Sequence, residues 1–198
     1  LHLPQQLWTL HSLEFHNRVS FIKGGLVHAD RITTVSPTYA EEIQTPEFGY
    51  GLNELLNHRK DKLSGIINGI DTDVWNPGTD ACLTQKYNKR SLDKKADNKA
   101  DFQTELGLPN EQHIPLLGMV GRLVEQKGVD TILDALLALL QLPVQIVILG
   151  TGEQQFETRL TQLAKRFPDK LRVIIGYDEC LSHKIEAASD IYLMPSKF

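Results

Sequence analysis

Arg122 and Lys127 bracket a short polar link in the stretch Gly118–Asp130, GMVGRLVEQKGVD. The apolar run from Pro115 to Val120 ends at Gly121, and an amphipathic segment begins near Val129. The order reads as a buried strand, a basic loop and the start of a helix. It sets two cations beside a helix N-terminus, where unpaired backbone N–H groups and the helix dipole already favour an anion. The chemistry this suits is the holding of a phosphate-bearing group. An Arg-x-x-x-x-Lys spacing alone is ordinary surface charge. Its place at the carboxyl end of a strand in an α/β pattern points to a ligand, because such sheets bind at that edge.

Two further loops reach the same edge. Gly150-Thr151-Gly152 follows the apolar run 144–149, and its missing side chains would let backbone N–H groups approach a ligand. Gly176-Tyr177-Asp178-Glu179 brings an aromatic ring and two carboxylates. Each loop has a plainer reading: a tight turn, a packed tyrosine, an acidic helix cap. Their convergence favours a nucleotide, with its phosphates over Gly121 and Arg122, and its base near Tyr177.

The elements that must position these loops alternate regularly. Strand 116–120, helix 129–141, strand 144–149, helix 154–167, strand 172–175, helix 182–188 and strand 191–194 imply a parallel sheet covered on both faces, a Rossmann-like α/β domain. Upstream, helix 21–29 leads to strand 31–35 (RITTV); Ser36 and Pro37 supply an N-cap and a first helical position for a helix to about Gln44. Helix 52–59 and strand 64–67 follow, and Asn68-Gly69 forms a turn. From Thr72 the composition changes. Lys86–Asp101, dense in Lys, Asp and Asn, reads as a solvated connector, and 102–106 as a helix stopped by Gly107 and Pro109. The expected division is 1–67, the end of one domain, and 68–198, a crossing plus a second domain.

Composition excludes several classes. With 198 residues, 41% apolar and 23% charged, the chain is of ordinary globular make-up, and no apolar run approaches a membrane span, so no membrane partner is expected. A net charge of −4 argues against general nucleic-acid binding. Cys82 and Cys180, far apart and in no metal-ligand spacing, are expected as free thiols in a reducing compartment, with neither disulfide nor zinc site. His2, His11 and His16 share no usable spacing and are assigned to surface or packing. A chain beginning inside folded-looking sequence, with a strand close to Phe198, is expected to be an internal piece of a longer protein.

The motifs TVSPTYAEEI (34–43), GIINGIDTDVWNP (65–77), GRLVEQKG (121–128) and IGYDECLSHKIEAASDIYLMPSKF (175–198) together resemble bacterial glycogen synthases and the related starch synthases, in the family's order and over nearly the whole chain. The resemblance implies a GT-B glycosyltransferase, with two Rossmann-like domains facing a cleft. It implies an ADP-glucose donor, an α-1,4-glucan (glycogen) acceptor, no separate cofactor or metal, and a bacterial cytoplasmic setting, with a plastid the alternative. By the same resemblance Arg122 and Lys127 are the basic pair on the donor diphosphate, Asn68 an asparagine of the inter-domain cleft, and Tyr177 an aromatic beside the adenine. Gly121, Gly150, Thr151 and Gly152 complete the expected donor site.

Lys23-Gly24-Gly25-Leu26 superficially echoes the family's Lys-x-Gly-Gly-Leu donor motif but lacks the intervening residue, and reads as helix and turn. The family's glutamate after Pro-Ser-[Arg/Lys]-Phe would follow Phe198. The chain by itself is therefore expected to be inactive. Two other readings stand beside this one: a retaining GT-B transferase using a UDP-sugar, and a nucleotide-binding module without catalysis.

Overall fold

A computed structural model describes residues 4–197. His2 and Phe198, singled out above, lie outside the described residues. The chain forms two compact units, Leu1–Ile70 and Asp71–Phe198.

In the first unit, β1 (Glu14–Phe15) and β2 (Arg18–Val19) pair as an antiparallel hairpin. His16 and Asn17 make its turn, with φ of 52° and 60°, so His16 is a turn residue. Helix α1 (Phe21–His28) starts where Ser20 Oγ accepts from the Lys23 amide at 3.1 Å. The Lys23-Gly24-Gly25 run is thus helical, and a Cβ on Gly24 would collide with Leu13. β3 (Ile32–Thr34) pairs in parallel with β4 (Leu63–Gly65). Between them lie α2 (Pro37–Glu42), capped by Ser36 Oγ on the Tyr39 amide, and α3 (Asn53–His58). Gly65 is obligatory here, since a Cβ would lie 2.2 Å from the Ser36 carbonyl.

The second unit holds the parallel sheet. Its strands are β5 (Leu116–Val120), β6 (Gln145–Gly150), β7 (Leu171–Ile175) and β8 (Ile191–Tyr192), in the order β7-β6-β5-β8, and every pairing is parallel. Helices α5 (Val129–Leu139), α6 (Gln154–Arg166) and α7 (Glu179–Ala188) make the crossovers. Successive strands step one way from β5 to β7, and then the chain returns to the other side of β5. The direction reverses between β5 and β8, where open α/β sheets leave a crevice at their carboxyl edge.

Alternation along each strand divides the core into two layers. Leu117, Met119, Ile146 and Ile148 face α5 and α6, packing with Val129, Leu133, Leu136, Phe156 and Leu160. Leu116, Val147 and Leu149 face the other way, against Phe102, Leu108, Ile185 and Ala188. Leu136 and Leu160 are fully buried. At about 1.5–3 kcal/mol for each such side chain, the two layers make a rigid platform for the loops at its edge.

The charged segment differs from expectation. Helix α4 spans Lys95–Glu105, seven residues earlier than the predicted start, and it is docked rather than solvated. Lys99 is 6% exposed; its Nζ donates to the carbonyls of Gln112 and Ile114 and to Asp190 Oδ2, at 3.0, 2.7 and 2.7 Å. Asp190 Oδ2 also accepts from the Leu116 amide at 2.7 Å. Gln103, fully buried, donates to Gln145 Oε1 at 2.7 Å. Polar composition misleads here because these side chains pair with one another and with the backbone inside the fold.

Helix α7 begins three residues before the predicted start because Asp178 caps it, its Oδ1 accepting from the Leu181 amide at 2.9 Å. The expectation of free thiols is overturned: Cys82 and Cys180 are joined by a disulfide, with Cα atoms 5.3 Å apart across 98 positions of sequence. Sequence distance gave no hint that the segment after Asp71 returns to the first turn of α7. Among the described residues no helix is long and apolar enough to cross a membrane.

Candidate functional site

Beyond the ends of β5 and β6 the two strands stay attached. The Gly121 amide donates to the Leu149 carbonyl, the Leu123 amide to Thr151 and the Glu153 amide to Leu123, at 3.0, 3.0 and 2.9 Å. Leu123, fully buried, anchors the basic loop to the core beneath it. The loop then makes a single 3₁₀ turn, Glu125–Lys127, and reverses at Gly128, whose φ of +70° needs glycine. A Cβ on Gly128 would also lie 2.1 Å from the Pro195 carbonyl oxygen.

The glycines divide into two kinds. At Gly150 a Cβ would meet the Gly121 carbonyl oxygen at 1.9 Å, and at Gly152 the Leu123 carbonyl at 2.3 Å. These two are small so that the β5 and β6 loops can touch each other, a reason different from the ligand approach inferred from sequence. Gly121 and Gly176 have nothing within 4 Å of their absent Cβ, and they leave open space.

That space is a cavity of about 250 Å³ lined by Gly121, Arg122, Gly150, Thr151, Gly176, Tyr177, Asp178 and Ser182, with Val120 and Leu149 behind. The ring-bearing residue Tyr177 is 86% exposed, available to a flat ligand. A second cavity of about 340 Å³ shares Val120 and Gly121 and is lined by Lys127, Glu186, Tyr192 and Met194-Pro195-Ser196. It occupies the crevice between β5 and β8. Five of the sequence-predicted residues, Gly121, Arg122, Gly150, Thr151 and Tyr177, thus meet in one cavity, and Lys127 lines its neighbour. Gly152 lines neither; Asn68 belongs to the first unit, in the exposed segment after β4.

The electrostatics favour an anion. The two acids that flank Lys127 in sequence are occupied: Lys197 Nζ donates to Asp130 Oδ2 at 2.6 Å and to Glu125 Oε1 at 2.8 Å. The Lys197 ammonium holds the Asp130 carboxyl below its usual range, and Asp130, then Glu125, hold Lys197 above its own. Arg122 is exposed, its Nη2 donating to Gln126 Oε1 at 3.2 Å. Burial pushes the Glu186 carboxyl up, against the pull of His183 and Lys95.

One structural contributor was not legible in the loop motifs. Glu157, in the first turn of α6, accepts from Thr151 Oγ1 at 2.7 Å and from the Gly152 amide at 2.8 Å through one oxygen. The Gly152 amide, then the Thr151 hydroxyl, hold its carboxyl below the usual range. It fixes the loop that the two glycines shape. An acid one helical turn after a Gly-x-Gly was the available signal.

A parallel sheet with this strand order, and cavities at its switch point lined by Arg122 and Lys127, define a Rossmann-like α/β unit. Residues 1–58 match the family model described as "Starch synthase catalytic domain", and residues 114–198 the one described as "Glycosyl transferases group 1". "Glycogen synthase 1" of Methylococcus capsulatus is 56% identical over all of this chain and 40% of its own length. Among solved structures, the catalytic domain of Starch Synthase IV from Arabidopsis thaliana, bound to ADP and acarbose, superposes with a TM-score of 0.93 at 40% identity, covering 100% of this chain and 42% of that one. A glycosyltransferase from Rickettsia africae shares the fold alone, at TM-score 0.56 and 18% identity over 84% of this chain and 38% of its own. Over its whole length the chain is thus similar to glycogen synthases and to a starch synthase, and the solved neighbours give its fold as the GT-B glycosyltransferase type. The chain spans about two fifths of the length of the curated relatives it matches.

Proposed function

We propose that this chain is the donor-binding part of a glucosyltransferase that moves glucose from ADP-glucose to the non-reducing end of an α-1,4-glucan with retention of configuration. The observation that carries the reading is the meeting of Gly121, Arg122, Thr151 and Tyr177 around one cavity, with Lys127 lining the next. Tyr177 takes the adenine face, and the open space at Gly121 admits the diphosphate. Arg122 and Lys127 neutralise it. The starch synthase neighbour, bound to ADP and acarbose, supports a nucleotide and a glucan-like ligand for this family.

In such a transfer, positive character builds on the glucosyl C1 while negative charge builds on the departing diphosphate. Fixed cations stabilise that state more than the bound donor, which raises kcat. We assign this task to Arg122 and Lys127, acting as the leaving-group clamp without a separate cofactor. Asn68 is assigned to substrate binding, and Gly150 and Gly152 to shaping the phosphate loop. The bacterial relatives make the cytoplasm the proposed setting.

The test is isothermal titration of the chain with ADP and with UDP, for the parent and for Lys127→Ala. The expected result is weak ADP binding, weaker UDP binding, and a further loss in the variant. UDP binding as strong as ADP would favour a UDP-sugar donor. No binding of either to folded protein would overturn the preformed donor site. In the full-length enzyme, Arg122→Ala or Lys127→Ala should lower kcat by about 10²-fold, the loss of one oxyanion-type donor; unchanged kcat in both would refute their role.

A further inference from the structure

We propose that the Cys82–Cys180 bond is a reversible thiol modification site that sets the order of the base-side wall of the nucleotide cavity. The coupling to nucleotide rests on the donor-site reading above; the effect on the wall does not.

Three fasteners join the segment after Asp71 to the first two turns of α7. One is the disulfide itself. The second is Asp80, whose Oδ2 lies 2.6 Å from His183 Nδ1, both side chains less than a tenth exposed, while its Oδ1 accepts from the Cys82 amide at 2.8 Å. The third is Trp75, stacked on the His183 ring with centroids 3.8 Å apart. Cys180 sits between Asp178 and Ser182, which both line the cavity, and directly follows Tyr177-Asp178-Glu179. Gly176, at φ +150° with open space around it, separates this wall from β7. The Gly176 amide, bonded to the Gly150 carbonyl at 3.1 Å, ties one end of the wall to the sheet, and the disulfide pins its other end.

The bond is placed for exchange. Cys180 is exposed and Cys82 partly buried, so an external thiolate reaches the Cys180 sulfur first. That attack forms a mixed disulfide on Cys180 and releases Cys82 as a thiolate, which takes a proton. A second thiol of the reductant attacks the mixed disulfide, forms the reductant's own disulfide and releases Cys180. Two electrons and two protons are transferred from the dithiol to the pair. The Cys180 thiolate leaves at a helix N-terminus, which stabilises it. Asp80, Cys82 and His183 also present ligand-type atoms within 4.8 Å of one another, but the sulfur among them is already bonded to Cys180, which favours thiol exchange over a metal.

The experiment compares the oxidised chain, the chain reduced by dithiothreitol, and the Cys82→Ser/Cys180→Ser variant. Thiol titration establishes the state of the bond, amide hydrogen exchange reports on the α7 first turn, and ADP titration reports on the cavity. Reduction should release two thiols with the fold intact and speed exchange at Leu181, Ser182 and His183 by about fivefold or more, as local opening becomes easier. It should weaken ADP by about three- to tenfold, the added cost of ordering the wall. Reoxidation should restore both, and the double variant should match the reduced protein and ignore dithiothreitol. The proposal is overturned if the bond opens and exchange at α7 does not change, or if the bond resists dithiothreitol in the folded protein. It is also overturned if the reduced protein takes up Co²⁺ with thiolate charge-transfer absorption, which would make the cluster a metal site. Faster exchange without any ADP binding in either state would leave the thiol control of the wall standing and refute the nucleotide reading alone.

Discussion

Gly150→Ala tests the account of the glycine-shaped loop most directly. The new Cβ would stand 1.9 Å from the Gly121 carbonyl oxygen, 3.1 Å from its carbon and 3.3 Å from Leu123 Cγ. The first two neighbours are backbone, so no rotamer change relieves the clash, and the β5 and β6 loops must part by more than 1 Å. Overpacking of this kind costs about 1–3 kcal/mol. Weakening the Gly121 amide bond to the Leu149 carbonyl, now 3.0 Å, adds about 1 kcal/mol. For a unit of this size each kcal/mol moves the melting temperature by about 3–5 °C, so a fall of roughly 6–20 °C is expected. Gly121→Ala is the matched control. Its Cβ meets nothing within 4 Å, so the melting temperature should hold within about 2 °C, while ADP affinity falls because the methyl enters the cavity. Thermal melts by circular dichroism, paired with ADP titration, give both readouts. If Gly150→Ala melts with the parent, or if Gly121→Ala is the less stable of the two, the division between glycines that pack protein and glycines that open onto ligand is wrong.

Lys99→Ala should destabilise the chain by about 2–4 kcal/mol in urea unfolding, because the carbonyls of Gln112 and Ile114 and the Asp190 carboxylate lose one shared buried donor; a cost under about 0.5 kcal/mol would show that the buried contact is dispensable. Glu157 has a depressed carboxyl in the folded chain, so its hold on Thr151 and Gly152 is fully present above the ordinary glutamate value of 4.5 and is lost as pH falls through its lower folded value. The Gly152 amide resonance should keep its position through that ordinary value and move only at lower pH; a midpoint at or above it contradicts the contact. Asp178→Ala removes the α7 cap and should cost about 1 kcal/mol, measured by the same unfolding; a neutral result would mean the α7 N-terminus is held by the disulfide and the Asp80–His183 pair alone.

Much of the fold was legible in sequence because local pattern and tertiary environment agreed. Strands β5 to β7 are short apolar runs bounded by glycine or a polar turn, and Ser36-Pro37 states its helix start in two residues. The helices between them carry one apolar stripe each, as at Val129, Ile132, Leu133 and Leu136. That pattern fixes a parallel sheet through the need for crossovers, and the sheet in turn predicts which edge carries the loops. Arg122, Tyr177 and Thr151 were therefore readable as neighbours although 55 positions separate the first from the second.

Local pattern cannot report which polar groups find partners across the fold, and several differences between expectation and structure are of that kind. Lys95–Glu105 reads as solvated because its residues are charged, yet Lys99 and Gln103 are buried against carbonyls and an amide contributed from other segments. Cys82 and Cys180 meet only because the segment after Asp71 lies along α7. Glu157 reaches Thr151 only because α6 returns over its own loop. By itself the sequence determined the alternation of elements, the parallel sheet and the loops that carry charge, since periodicity and backbone preference act over a few residues. Only the tertiary structure decided which glycines serve the protein and which the ligand, which acids are neutralised by Lys197, and which sulfurs are bonded, since those are pairings in space between residues that sequence does not bring near one another.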